Sequence, residues 1–214
     1  MADILDSIIQ VDYDESQYYK TTYEKNQIVL HHTVSNGSAQ AVANYWESKP
    51  NRVGTPIVID KDGIIHQLFS SRFYAGHVGD VSDEMKKFSL PYRSCSKNSI
   101  GVELVNMGGL TEKDNKLYDA YGKEFTDETV LYPNGYRSYY YFHKYSDKQI
   151  GALRRLLIYW CNRYDIPTTY NKDIWNVNER ALSGGKGIFT HTSFRDDKSD
   201  LHPQAELITM LENL

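Results

Sequence analysis

Three short apolar runs stand out along the chain. The first is Gln27-Ile28-Val29-Leu30-His31-His32-Thr33, the second Ser99-Ile100-Gly101-Val102-Glu103-Leu104-Val105, and the third Ile188-Phe189-Thr190-His191. Their length and β-branched content predict buried strands. Pro56–Asp60 and Ile64–Phe69 flank Lys61-Asp62-Gly63, and an Asp-Gly between β-branched runs predicts a hairpin. Helical spacing replaces strand spacing elsewhere. Ser38 can cap a helix over Ala39–Glu47, which Pro50 and Gly54 bring to a close. Ser146-Asp147-Lys148-Gln149 is a capping-box pattern, followed by Ile150, Leu153, Leu157, Trp160 and Tyr164 at helical intervals. That helix ends before Pro167, and a terminal helix over Gln204–Leu211 follows Pro203.

The remaining segments are less regular. Residues 1–25 are polar and read as an N-terminal extension to a domain over 26–214. Residues 107–145 form a polar, tyrosine-rich insertion, with a turn expected at Tyr132-Pro133-Asn134-Gly135-Tyr136. Its length is too great for a bare loop, so it should carry small strands or a flap. Residues 168–187 read as irregular. Strands interleaved with helices, with a hairpin among them, predict a single α/β domain with a mixed central sheet flanked by helices.

Composition narrows the function classes. The 214 residues are 40% hydrophobic and 24% charged, with 18 tyrosines, which suits one globular domain. A formal net charge of -4 offers no basic field for nucleic acid. No stretch approaches a membrane span, and the N-terminus has no basic, apolar leader pattern. The expectation is a monomer made in the cytoplasm, with neither nucleic acid nor membrane as partner. Cys95 and Cys161 are the two cysteines, have no metal-site spacing, and are expected to be free thiols.

The candidate chemistry lies in two fragments. One is the histidine-ended strand; the other is His191-Thr192-Ser193-Phe194-Arg195-Asp196-Asp197-Lys198-Ser199-Asp200. Together they supply imidazoles and a carboxylate, ordinary zinc ligands, in a number that leaves a position open for water. Strand alternation forbids His31 and His32 from serving one site together. The plainer reading of such a pair is one packed and one solvated ring. Lys198 and Asp200 share a side of an extended chain. Glu103 sits inside an apolar strand, where a lone carboxylate is costly. It is either paired at an edge or a general base with an adjusted pKa. His77, in Tyr74-Ala75-Gly76-His77-Val78-Gly79, is either a surface histidine or a substrate contact. His66, His143 and His202 are read as packed or solvated.

In order, IVLHHT, VIDKDGIIHQ, AGHVG, NSIGVEL and HTSFRDDKSD resemble the motifs of the zinc N-acetylmuramoyl-L-alanine amidases of the Amidase_2 type. That family includes phage lysozyme-type amidases, AmpD-type recycling amidases and peptidoglycan recognition proteins. The resemblance covers about residues 25–212. It implies one Zn2+ per chain on His31, His191 and Asp200, with Glu103 as acid/base and Lys198 on the oxyanion. It places His77 in the family's histidine loop, as a substrate contact. Phage lysozyme-type members carry a tyrosine where this chain has Thr55, which would then face substrate. The implied activity is hydrolysis of the amide between N-acetylmuramic acid and L-alanine, on peptidoglycan or muropeptides. The implied setting is lysis of the cell wall by a phage endolysin or a bacterial or prophage enzyme. A non-catalytic peptidoglycan-binding module and a cytoplasmic muropeptide-recycling amidase are the alternatives.

Overall fold

The three apolar runs lie side by side as parallel strands. β2 (Gln27–His32) is flanked by β5 (Ser99–Leu104) and β11 (Gly187–Thr190), with Val29 in register with Gly101 on one side and Phe189 on the other. The computed structural model describes residues 7–214. The expected hairpin forms β3 (Ile57–Ile59) and β4 (Ile65–Gln67), which pair antiparallel. β3 runs parallel to β5, and β4 pairs in parallel with β1 (Ile8–Gln10). The resulting order is β1-β4-β3-β5-β2-β11, a mixed six-stranded sheet.

β1 corrects the reading of residues 1–25 as a simple extension. Residues 1–6 of that segment lie outside the described residues. Beyond them, β1 completes the sheet edge, and Tyr13 and Tyr18 stack with Phe69 in a buried cluster. Two isoleucines amid acids gave too short a pattern to announce a strand.

Helices cover both faces. α1 (Ala39–Glu47) begins where Ser38 Oγ accepts the Ala41 amide, and buries Val42, Ala43 and Trp46 in a cluster with Val58 and Val105. α3 (Asp147–Tyr164) carries the full capping box between Ser146 and Gln149. It ends at Asp165 in the left-handed region, two residues before Pro167. Its Ile150, Leu153, Leu157 and Trp160 join Ile28, Leu30, Ile100 and Val102 in the main core. α5 (Ala205–Glu212) packs beside α3. Two short helices, α2 (Ser82–Lys87) and α4 (Glu179–Leu182), were not expected. Each holds too few apolar residues for a periodic signal.

The tyrosine-rich insertion is a second sheet. β6 (Gly109–Lys113), β7 (Lys116–Tyr118), β8 (Glu124–Phe125), β9 (Thr129–Tyr136) and β10 (Tyr139–His143) pair antiparallel in the order β8-β7-β6-β10-β9. Met107, Leu110 and Phe125 form its own small core. The turn expected at 132–136 lies inside β9 instead, and the chain reverses at Arg137, whose φ is 52°. Pro133 is tolerated because β9 is an edge strand, where a missing N–H breaks no inner ladder. Cys95 and Cys161 are free and buried, as expected.

Candidate metal centre and active site

Parallel strands bring their C-terminal ends to one edge, and there the sheet gathers its chemistry. His31 is the fifth residue of β2; His191 directly follows β11 and opens a single 3-10 turn, His191–Ser193. The chain then loops through Asp196 and returns Asp200 to the same point. His31 Nδ1 lies 3.1 Å from His191 Nδ1 and 3.1 Å from Asp200 Oδ2, and His191 Nδ1 lies 2.9 Å from Asp200 Oδ2.

Both histidines are oriented through their other nitrogen. His191 Nε2–H donates to Val78 O at 3.0 Å. His31 Nε2 lies 3.0 Å from His77 Nδ1, His77 Nε2 lies 2.9 Å from Ser99 Oγ, and Ser99 Oγ donates to Cys95 O at 2.7 Å. One direction of donation satisfies this whole row: His31 to His77, His77 to Ser99, Ser99 to the carbonyl. It leaves Nδ1 of His31 and of His191 as a lone pair facing the Asp200 carboxylate.

Three acceptors within 3.1 Å repel one another unless a cation or proton lies between them. Burial, with His191 adding to it, depresses the His31 pKa to about 4, so this ring carries no second proton at neutral pH. Burial alone would raise the Asp200 carboxyl, but His191 and His31 overturn that and hold it well below the usual carboxylate range. Neutral imidazoles and an ionised carboxylate are the ligand forms zinc requires. Tetrahedral zinc with bonds near 2.1 Å has ligand edges of roughly 3.4 Å, a few tenths of an ångström longer than this triangle. The residues therefore fit the ion.

Glu103 faces the same cluster. It is in register with His31 on the neighbouring parallel strand, so both side chains project from one face. Its Oε2 is buried, with no hydrogen-bond partner among the described residues. Burial first, and the Asp200 charge second, push its carboxyl well above the usual range.

Of the other expected residues, three take different places. His32 is as buried as His31, not solvated; its Nδ1 accepts from Tyr145 Oη at 2.9 Å on the opposite face. Thr55 has no exposed surface, and its hydroxyl donates to Ile57 O, so no atom of it faces substrate. Both ring nitrogens of His77 are engaged, which makes it a support for His31 and leaves none for substrate. Lys198 is one-third exposed on the ligand loop; among the described residues its ammonium has one ion-pair contact, Asp197 Oδ2 at 3.9 Å. Ser99 escaped the sequence reading. The alternation that puts Gly101 and Glu103 on the His31 face puts Ser99 there as well.

The fold has counterparts among solved structures. It is similar to the structure of PlyL, with 15% identity, a TM-score of 0.54 and 96% of each chain covered. It is similar to the catalytic domain of XlyA, at 14% identity and a TM-score of 0.54 over 96% of this chain and 97% of that one. It also matches the endolysin N-acetylmuramoyl-L-alanine amidase LysCS from Clostridium intestinale, at 16% identity and a TM-score of 0.52 over 97% and 95%. No curated protein is detectably similar in sequence. The chain belongs to the N-acetylmuramoyl-L-alanine amidase family, Amidase_2, whose profile matches residues 21–203, and it is an enzyme of that class.

Proposed function

We propose that this chain hydrolyses the amide between N-acetylmuramic acid and L-alanine in peptidoglycan, using zinc held by His31, His191 and Asp200. The observation that carries the reading is the triangle of three acceptor atoms within 3.1 Å beside a carboxyl with one buried, unpartnered oxygen. A zinc ion there supplies Lewis acidity, acidifying water and polarising the scissile carbonyl. Glu103 takes the proton of the attacking water and returns it to the leaving amide nitrogen. Burial raises its proton affinity above that of an ordinary carboxylate, the direction a proton carrier needs. Lys198, two residues before Asp200, supplies positive charge to the tetrahedral oxyanion. His77 and Ser99 hold the His31 ring in the tautomer that presents Nδ1.

The setting proposed is lysis of a bacterial wall, in the manner of an endolysin. A binding module that has lost catalysis is disfavoured because all three ligand positions and Glu103 are in place. Digestion of purified peptidoglycan by zinc-loaded protein tests the proposal. The expected result is release of L-alanine amino termini without new reducing sugar ends, with one zinc per chain. New reducing ends, or zinc binding with no amine release, overturn it.

A further inference from the structure

The second sheet touches the ligand loop at one corner. Tyr136 ends β9, and Arg137 begins the turn into β10. Tyr136 Oη lies 3.3 Å from both Thr192 Oγ1 and Leu201 O. Arg137 Nη2 lies 2.9 Å from Trp175 O and 3.4 Å from Thr192 O, and its Nη1 lies 3.5 Å from Asp196 O. Thr192 directly follows His191, and Leu201 directly follows Asp200. The Thr192 amide also donates to Asp200 O at 3.2 Å, closing the loop between the two ligands.

The grip extends one residue further. His202 is fully buried, stacked on Tyr145 at 4.3 Å between ring centres and beside Phe142 at 4.6 Å. Tyr132 Oη donates to its Nδ1 at 2.8 Å, and its Nε2–H donates to His143 O at 3.0 Å. The His202 amide donates to Tyr145 Oη, which in turn donates to His32 Nδ1. The insertion thus reaches the neighbour of each proposed ligand.

The loop holds little of this by itself. Phe194 anchors its first half in the core. Between Arg195 and Asp200, the side chains offer surface ion pairs: Arg195–Asp197, Lys198–Asp197 and Lys87–Asp196. Such exposed pairs contribute little to holding a backbone in place. Asp200, in the second half, is flanked by Leu201, which is buried in the main core and whose carbonyl lies against Tyr136 of the insertion.

We propose that the tyrosine-rich sheet is a clamp that sets the position of Asp200 relative to His31 and His191, with Tyr136 and Arg137 as its positioning residues. The part of this that concerns ligands rests on the proposed metal site; the clamping of the loop does not. The test compares wild type with Tyr136→Phe/Arg137→Ala, and with Tyr140→Phe as a control on an exposed tyrosine of β10. Tyr136→Phe alone removes only the hydroxyl and serves if the double variant fails to fold.

Hydrogen exchange of the metal-free proteins is read first. Amides of residues 192–202 should exchange at least tenfold faster in the clamp variant, with β2 and α3 unchanged and the control like wild type. Equal protection overturns the clamp, as does an equal rise throughout the chain. Zinc affinity, read by competition with a chelator, should then fall about tenfold in the variant, as for loss of other supports behind a ligand. Faster exchange with wild-type affinity overturns the positioning role. If wild type takes up no zinc, the metal reading fails, and the exchange result still decides whether the loop is clamped.

Discussion

Glu103 stands in register with His31 across β5 and β2, so the sheet itself sets the distance between the proposed base and the first metal ligand. No loop intervenes between them. Glu103→Gln keeps the shape and removes the proton carrier. Amide hydrolysis should fall by roughly 10²–10⁴-fold, the usual worth of a positioned acid/base. Zinc content and the unfolding midpoint should hold, as measured by metal analysis and urea denaturation. Full activity in this variant removes Glu103 from the mechanism.

The row from His31 through His77 and Ser99 to the Cys95 carbonyl has a graded consequence. His77→Ala takes away the acceptor of the His31 Nε2–H. Zinc affinity should drop by about 10–100-fold. Ser99→Ala removes a group one step more remote, and its loss should be smaller. Chelator competition on the two purified variants reads both; equal losses would contradict the order of the row.

Acid should unfold the metal-free protein early. Burial depresses His31, His32 and His143 to about 4, and His77 and His202 well below 6.5. These rings are neutral when folded and take up protons when unfolded below pH 6.5. Their contribution to stability is present above 6.5 and is lost as pH falls through about 4. Each adds a slope of about 1.4 kcal/mol per pH unit within that window. Glu103 runs the other way, because its folded pKa is raised: its contribution is present below about 4.5 and lost as pH rises. The histidines outnumber it, so stability should fall steeply between pH 6.5 and 4.5. Urea unfolding across that range measures it; a flat profile would mean the rings are not neutral in the fold.

Gly101 marks a close approach. A Cβ there would run into Thr55 Cγ2 and stand 3.0 Å from His77 Nδ1. Gly101→Ala should cost about 1–3 kcal/mol of stability by overpacking. It should also weaken zinc binding, because the displaced ring is the one behind His31. Urea denaturation of the metal-free protein and zinc competition separate the two effects. Unchanged values in both would show that Thr55 and His77 can yield without consequence.

Much of the site was visible in the chain because strands obey a two-residue period. That period separated His31 from His32, and it marked Glu103 as odd within an apolar run. The capping box before α3 and the Asp-Gly hairpin were visible for the same kind of local reason. The surroundings of Thr55 and His77 were not legible in the chain, because they depend on Gly101 and Ser99 of another strand. β1 was missed because so short a segment, Ile8-Ile9-Gln10, forms a strand only when β4 offers an edge. The turn in the insertion was misplaced because Pro-Asn-Gly is a turn signal everywhere except at an edge strand that can absorb it. No local pattern joins Tyr136 to Leu201.

The adjacent histidines of β2 end up on opposite faces, both buried, one against His77 and the other against Tyr145. One dipeptide is thus shared by the reaction centre and the scaffold. A slide of the strand that relaxed one side would drag the other with it. The two faces cannot drift apart over generations of substitution: any change that reseats His32 against Tyr145 is read out at once as a shift of His31 against His191 and Asp200.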